Sequence, residues 1–479
     1  MPSLLAASVS AWLPELILSC GAMAVMLIGV WFRRAAPALI VTWLTLLLAG
    51  ISLWGSANLP AGQVFFGLIT LDSFSLVFRW LALGVTGLVV LMASCASDVE
   101  RTWTGEYLGL ILFVGVGLML MAEATHLLMA VVAIELVSLS SYCLVALTRD
   151  ARSSEAALKY LLFGALSSGI MLFGISLLYG LSGGLSFPLL KQSVEQLGPA
   201  AAGLLAIAIT LVLAGLAFKI SMVPFHMWTP DVYEGAPIAV AALLSVGPKA
   251  AGLALLLRLT EALRPLWGTF EPLILVLTIL TMTLGNVVAL LQNNVKRLLA
   301  YSTIGQVGYL LIGFAVNSPL GLEAILVYLV AYLFMNLGAF ACVAAVHQET
   351  RSESLEAFQG LAQRAPVLAF CCTVFLLSLA GIPPLLGFIG KFLLFGSALE
   401  ARRVALAVVG VLNSAIALYY YVNIIRLMYL QAPQRPDPLR PALSLRLALG
   451  VCGVATVWLG VSPGVLLAWL GTVAASNLL

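Results

Sequence analysis

The chain has little charge. Only 9% of its 479 residues are Asp, Glu, Lys or Arg, against about 25% in an ordinary soluble domain. Disorder and nucleic-acid binding both need far more, so neither class fits. No long polar stretch remains to house a soluble domain. Histidine is scarcer still: His126, His226 and His347 are three scattered residues. The seven cysteines, Cys20, Cys95, Cys143, Cys342, Cys371, Cys372 and Cys452, contain no CxxC pair. The usual iron–sulfur and zinc spacings are therefore missing. Adjacent cysteines rarely bridge, and the set reads as small apolar packing residues. No metal or cofactor is expected in this chain.

What is abundant is apolar. Hydrophobic residues make up 62% of the chain, and its mean hydropathy is +1.11. A spanning helix needs about 20 apolar residues. Runs of that length, cut by polar or Gly/Pro-rich breaks, predict fourteen helices: 12–31, 37–55, 72–93, 104–122, 125–147, 157–180, 201–221, 236–262, 270–290, 297–315, 321–347, 366–400, 404–428 and 443–470. The fold class is an all-α polytopic membrane protein. The apolar run after Glu15 has no basic segment before it and no small-residue cleavage site, so it reads as the first span rather than a signal peptide.

Basic residues collect on the cytoplasmic side of membrane proteins. With the N-terminus outside, the inside loops hold Arg33, Arg34, Arg101, Arg149, Arg152, Lys159, Lys296, Arg297, Arg351, Arg364, Arg426, Arg435, Arg440 and Arg446. The outside loops and helix ends hold Lys191, Arg258, Arg264, Arg402 and Arg403. Fourteen against five favours an even helix count with both termini outside. Arg79, Lys219, Lys249 and Lys391 fall inside apolar segments.

Two segments look interrupted. Residues 217–237 carry Pro224, Pro230 and Pro237, and residues 379–395 carry Gly381, Pro383 and Pro384. Proline removes a backbone donor and breaks or kinks a helix. Lys219 lies near the first break and Lys391 past the second. Paired interruptions in two halves of a chain point to an inverted-repeat transporter with ion sites at broken helices. Gly247 and Pro248, just before Lys249, mark a third candidate break.

A charge near the bilayer centre costs roughly 2.5–3.5 kcal/mol on insertion scales. Glu135, nine residues past His126, lies roughly 14 Å along its helix and so near mid-membrane. Ser138, Ser140 and Ser141 follow it, and hydroxyls within a turn can hold water or relay protons. Buried lysine loses its preference for the charged form, and a nearby carboxylate restores it. Moving Glu135 relative to Lys219 would switch that lysine between holding and releasing a proton. Each pKa unit is about 1.4 kcal/mol, and moving one proton against 100 mV takes about 2.3 kcal/mol, so under two units suffice. A static salt bridge accounts for Glu135 with one lysine but leaves two lysines without an acidic partner in the sequence. His226, beside a break, suits a water wire or plain packing equally. Arg79 reads as snorkelling or structurally paired, Lys159 with Glu155 as an i,i+4 surface pair, and Asp231 with Glu234 as loop-ordering groups.

Residues 218–250, FKISMVPFHMWTPDVYEGAPIAVAALLSVGPKA, strongly resemble the antiporter-like membrane chain N of respiratory complex I, the NADH:quinone oxidoreductase. So do LDSFSLVF (71–78), EAALKYLLFGALSSG (155–169), NVKRLLAYSTIGQVGYLLIG (294–313), MNLGAF (335–340) and LSLAGIPPLLGFIGKF (378–392). The resemblance runs in order along essentially the whole chain. It implies fourteen helices with two inverted five-helix repeats and broken seventh and twelfth helices. The division it implies is three N-terminal helices in 1–103, repeats in 104–262 and 270–428, and a C-terminal helix in 443–479.

The resemblance also implies a proton path through Glu135, Lys219, Lys249 and Lys391 along the membrane midplane, with flavin, iron–sulfur clusters and the quinone site in other chains. The chain would be a proton-pumping module in the bacterial cytoplasmic (inner) membrane, both termini periplasmic. Its partners would be the other subunits of complex I, especially neighbouring antiporter-like chains. Three alternatives share the pattern: a subunit of a Mrp-type cation/proton antiporter, a subunit of a ferredoxin- or hydrogenase-linked complex, and a structural spacer that pumps nothing.

Overall fold

The computed structural model describes residues 8–32, 34–56, 62–96, 98–196, 201–433 and 437–476. Arg33, Arg435 and the side chain of Arg101, counted above among the basic loop residues, lie outside the described part. Besides a single turn at Leu361–Arg364, the α-helices among these residues are α1 (Leu13–Phe32), α2 (Ala35–Ser56), α3 (Ser73–Ala93), α4 (Thr104–Glu123), α5 (Leu127–Val145), α6 (Ala151–Ser182), α7 (Phe187–Gln196), α8 (Ala202–Ile220), α9 (Trp228–Gly235), α10 (Ile238–Ala262), α11 (Trp267–Ala289), α12 (Val295–Val316), α13 (Pro319–Thr350), α14 (Pro366–Ala380), α15 (Leu386–Glu400), α16 (Val404–Leu430), α17 (Leu443–Val461) and α18 (Gly464–Ala474). Among the described residues, thirteen are long and apolar enough to cross a membrane. Together with the α14–α15 pair they occupy the expected segments.

Two expectations need correction. The stretch 443–470 is not one helix: it stops at Val461, and α18 starts after Pro463. Proline disfavours helical geometry in the residue before it, and Ser462 sits at φ −128°, ψ 68°. The proposed break at Gly247–Pro248 is absent, because α10 continues unbroken through it. Pro248 forfeits one backbone bond, but α10 is buried along its whole apolar window, and packing on every side keeps it helical.

The other two interruptions are present as gaps. Helix α8 ends at Ile220 with Ser221 in a left-handed conformation (φ 63°). The chain then crosses to the eight-residue α9, so Asp231 and Glu234 sit on a helix rather than in a loop. Helix α14 ends at Ala380 with Gly381 left-handed, and α15 begins at Leu386.

Burial sorts the helices. Helices α12 and α13 are buried over 89% of their windows and α1, α2 and α17 over 33%. The central ones are apolar all round because protein surrounds them. The outer ones expose Leu27, Trp31, Leu48, Trp54, Val454 and Trp458, as a lipid-facing surface requires.

At one end, a hairpin of β1 (Gly62–Val64) and β2 (Ile69–Leu71) and the short α7 tie the connections together. Thr125 N donates to Leu68 O, and Phe187 N to Thr125 O. At the other end, charge is paired across elements. Asp231 contacts Lys159 and Arg297, Glu234 contacts Arg152 and Arg297, and Glu353 takes the buried Lys296 at 2.7 Å. Burial works against the Asp231 carboxylate, but Lys159 and Arg297 outweigh it and hold it below the ordinary carboxylate range. The expected Lys159–Glu155 pair is present at 2.8 Å.

Candidate functional site

Lys219 lies in the last turn of α8, where the helix's free carbonyls favour a cation. Its side chain is buried, and Nζ donates to Ser138 Oγ at 2.8 Å. Ser138 in turn donates to Ile134 O one turn back on α5, so its free lone pair is what receives the lysine. Glu135 stands three residues before Ser138 and is half-buried, facing α6. Its Oε1 accepts from Ser168 Oγ at 2.5 Å. Among the described residues no ion pair joins Glu135 to Lys219. Ser138 stands between them instead.

Lys249 sits mid-helix on α10. The α8–α10 crossing sets it beside Lys219: a methyl group placed on Gly252, one turn on, would lie 3.8 Å from Cβ and Cγ of Lys219. Its Nζ has no hydrogen-bond partner among the described residues. It rests over two ring faces instead, 4.7 Å from the Trp228 centroid and 5.2 Å from that of Tyr233. Both rings come from α9, the helix made by the TPDVYEGAP stretch. Trp228 is fixed by Tyr160 stacked at 4.5 Å and by its own Nε1 donating to Phe218 O.

Lys391 lies at the second gap. Nζ donates to Ala380 O at 3.1 Å and to Ser414 Oγ at 3.3 Å, and lies 4.1 Å over the Tyr309 ring. The acceptor at 380 is the last residue of α14, so the exposed carbonyl end of a half-helix holds the cation. Gly381 makes this reachable. It has φ 92°, and a Cβ there would come within 2.9 Å of Lys391 Cδ.

A ladder of uncharged polar groups fills the space between Lys249 and Lys391. Ser245, one turn before Lys249, accepts from Asn336 Nδ2 at 2.6 Å. Tyr332, one turn before Asn336 on α13, donates to Thr303 on α12 at 3.0 Å. Tyr328, one turn further, donates to Gln306 Oε1. Gln306 Nε2 donates to Leu379 O and to Tyr421 Oη, next to the Ala380 carbonyl that Lys391 uses. Each of these side chains is buried. None of them carries a charge to mark it in the sequence, although Tyr328, Tyr332 and Asn336 recur every four residues and so share a helix face.

The remaining candidates fall outside this line. Ser141 donates to Val137 O, and no hydrogen bond among the described residues joins Ser140, Ser141 or His226 to a lysine. His226 is buried with Nδ1 unpartnered. Arg258, counted above at an outer helix end, is fully buried and paired with Asp72 at 2.7 Å. Arg79 pairs with Glu15 rather than snorkelling. Among the described residues no group of three or more His, Cys, Asp or Glu is placed to hold a metal ion.

Over residues 124–417 the chain matches the sequence family described as NADH:quinone oxidoreductase/Mrp antiporter, transmembrane. It is 40% identical to NADH-quinone oxidoreductase subunit N of Trichlorobacter lovleyi, over 95% of this chain and 94% of that one. It is 47% identical to NAD(P)H-quinone oxidoreductase subunit 2 of Thermosynechococcus vestitus, over 80% and 74%. A chain of respiratory complex I from Thermus thermophilus, solved with bound aureothin, superposes with a TM-score of 0.81 at 33% identity, covering 95% of this chain and 98% of that one. A chain of the Mrp complex from Dietzia sp. has the same fold (TM-score 0.87, covering 98% and 97%) at 23% identity. The chain belongs to the NADH:quinone oxidoreductase/Mrp antiporter transmembrane family, among the subunit N chains of NADH-quinone oxidoreductase.

Proposed function

We propose that this chain, a proton-translocating membrane subunit of NADH:quinone oxidoreductase, moves protons along Lys219, Lys249 and Lys391. The observation that carries this reading is the ladder from Ser245 to the carbonyl of Ala380. Buried polar groups are costly unless they are bonded to one another or used, and this line of them runs from Ser245, one turn before Lys249, to the Leu379 carbonyl beside the one that Lys391 uses. A proton enters from the cytoplasmic side, reaches Lys219 or Lys249, crosses by way of Asn336, Tyr332, Thr303 and Gln306 to Lys391, and leaves outside. Hydroxyl groups pass a proton on by exchanging donor and acceptor roles, the amides of Asn336 and Gln306 orient them, and water completes the gaps.

Glu135 tunes Lys219. Its present partner is Ser168, which leaves Lys219 on the neutral Ser138. A shift of α5 against α6 that freed the carboxylate would strengthen its hold on Lys219. Glu135 is half-buried beside an outward face lined by Leu139, Leu162 and Leu166. A neighbouring antiporter-like chain seated there would act on it electrostatically. Ser140, Ser141 and His226 are assigned to water access along the first gap.

Within the same reading, the three N-terminal helices (1–103) precede two inverted repeats (104–262 and 270–428), and the C-terminal segment is 443–479. Both termini face the periplasm of a bacterial inner membrane, in keeping with the split of basic residues. Flavin, iron–sulfur clusters and the quinone site belong to partner subunits, whose redox chemistry drives the pumping.

The test is a Lys219→Ala complex reconstituted in vesicles. Assembly and NADH:quinone activity are expected to persist in part while proton uptake per electron falls. Undiminished uptake would remove Lys219 from the path.

A further inference from the structure

Away from the lysines, five charged groups from α1, α3, α4 and α10 meet inside one end of the bundle. Asp72 caps α3, and Arg258 of α10 donates through Nη2 to both its oxygens, at 2.7 and 2.9 Å. Arg79 of α3 grips Glu15 of α1 in a two-pronged pairing, Nε to Oε1 and Nη2 to Oε2, each 2.7 Å. Each acid is thus matched to one guanidinium, and a third acid is left over. Glu123, the last residue of α4, is 0% exposed. Its Oε1 lies 3.2 Å from Arg79 Nε, whose hydrogen goes to Glu15, and neither Glu123 oxygen has a hydrogen-bond partner among the described residues. It also sits at the end of α4 where free carbonyls already carry partial negative charge.

Arg258 also lies close enough to act on it, and beyond these two guanidiniums no charged side chain among the described residues balances it. Helix α2 has none. Glu135 of α5 is bonded to Ser168, and Lys249 lies nine residues from Arg258, roughly 14 Å along α10. Lys191, Glu261 and Arg264 are paired with one another at the surface. The cluster therefore holds three carboxyls to two guanidiniums, all within the protein. A buried carboxylate that shares its guanidinium with another acid and accepts no hydrogen bond costs several kcal/mol, and a buried acid neutralises instead.

We propose that Glu123 is a proton-binding site in which the Glu15–Glu123 pair holds one proton beside Arg79, separate from the lysine path. Arg79 lies against both carboxyls and repels a metal cation from the same position, so the ligand is a proton. Removing either acid leaves the other matched to Arg79 and able to ionise.

Infrared difference spectra of the purified complex test this at neutral pH, because a protonated carboxyl shows a C=O stretch that a carboxylate lacks. Glu123→Gln, a neutral isostere of the protonated acid, is expected to assemble at the wild-type level and to lose one such band. Glu15→Gln is expected to lose the same band, and it carries the test alone if the first variant does not assemble. A wild-type carboxyl spectrum in Glu123→Gln would overturn the site. Retention of the band in Glu15→Gln would overturn the shared proton.

Discussion

The ammonium of Lys391 reaches the carbonyl oxygen of Ala380, 3.1 Å away, across a helix gap whose first residue is a left-handed glycine. Two features of Gly381 make the contact. Its φ of 92° is open to glycine at no steric cost. Its missing Cβ leaves the volume that the Lys391 stem occupies.

Gly381→Ala should therefore act on the lysine rather than on assembly. A left-handed alanine costs roughly 1–2 kcal/mol, which a bundle of this size absorbs. Displacing the Lys391 stem separates its Nζ from Ala380 O and Ser414. Quinone reduction in reconstituted vesicles should continue while protons moved per electron drop. Wild-type stoichiometry in an assembled Gly381→Ala complex would show that the Ala380 contact is dispensable.

Among the described residues Lys249 faces Trp228 and Tyr233 and pairs with no carboxylate, so the rings supply what an acid would elsewhere. A desolvated cation–π contact is worth about 2 kcal/mol. Trp228→Leu should reduce coupled pumping several-fold, and Trp228→Phe, which keeps a ring face, should lie between it and wild type. Acidification of the vesicle lumen, normalised to NADH oxidation, reads the difference. Equal pumping by the Leu and Phe variants would mean that Trp228 serves packing alone.

Much of this was legible in the residues. The apolar runs locate the spans because a bilayer demands about 20 apolar residues from each. Pro224 and Gly381 announce the gaps through backbone chemistry, and the four deep charges stand out because burying them is expensive. The uncharged ladder was not legible in the same way. Tyr328 and Gln306 look like ordinary residues of long apolar helices, and only the packing of α12 against α13 turns them toward each other. Pro248 misled for the opposite reason: its local signal is strong, but a helix buried on all sides tolerates one missing bond. Arg258 reads in the sequence as an outer helix end and Arg79 as snorkelling or structurally paired, whereas their partners, Asp72 and Glu15, arrive from other helices.

The ladder predicts a phenotype without loss of charge. Tyr332→Phe removes one hydroxyl and leaves the ring in place, so Thr303 loses its donor and the packing stays. A lost buried hydrogen bond of this kind costs roughly 1–3 kcal/mol, well short of unfolding. Pumping should fall while complex yield on native gels stays at the wild-type level, and Asn336→Leu should do the same. Full pumping in both variants would break the proposed link between Lys249 and Lys391.

The buried and surface ion pairs should separate cleanly in stability. Arg258→Met leaves the Asp72 carboxylate without its bidentate partner in a nearly closed site, and breaking a buried pair costs about 3–5 kcal/mol. Arg152, whose side chain is 53% exposed, belongs to the class of surface pairs worth about 0–1 kcal/mol. The midpoint of thermal dissociation of the purified complex should fall markedly for Arg258→Met and hardly at all for Arg152→Met. Similar midpoints for the two would mean that the Asp72–Arg258 pair contributes no more than a surface one.

Ser168 and Glu135 give the sharpest test of how the first lysine is controlled. Ser168 donates to the Glu135 carboxylate at 2.5 Å, while Lys219 is held by Ser138 three residues further along α5. Ser168→Ala removes the competing donor and leaves Glu135 charged, so the carboxylate turns more readily toward Lys219. Glu135→Gln removes the charge and cannot hold the lysine at all. The first variant should therefore keep pumping with an altered dependence on pH, and the second should lose most of it. Measuring both across a pH series in the same vesicles distinguishes a control by charge from a control by packing. If the two profiles coincide, Glu135 acts through its shape and hydrogen bond, and the charge switch at Lys219 is refuted.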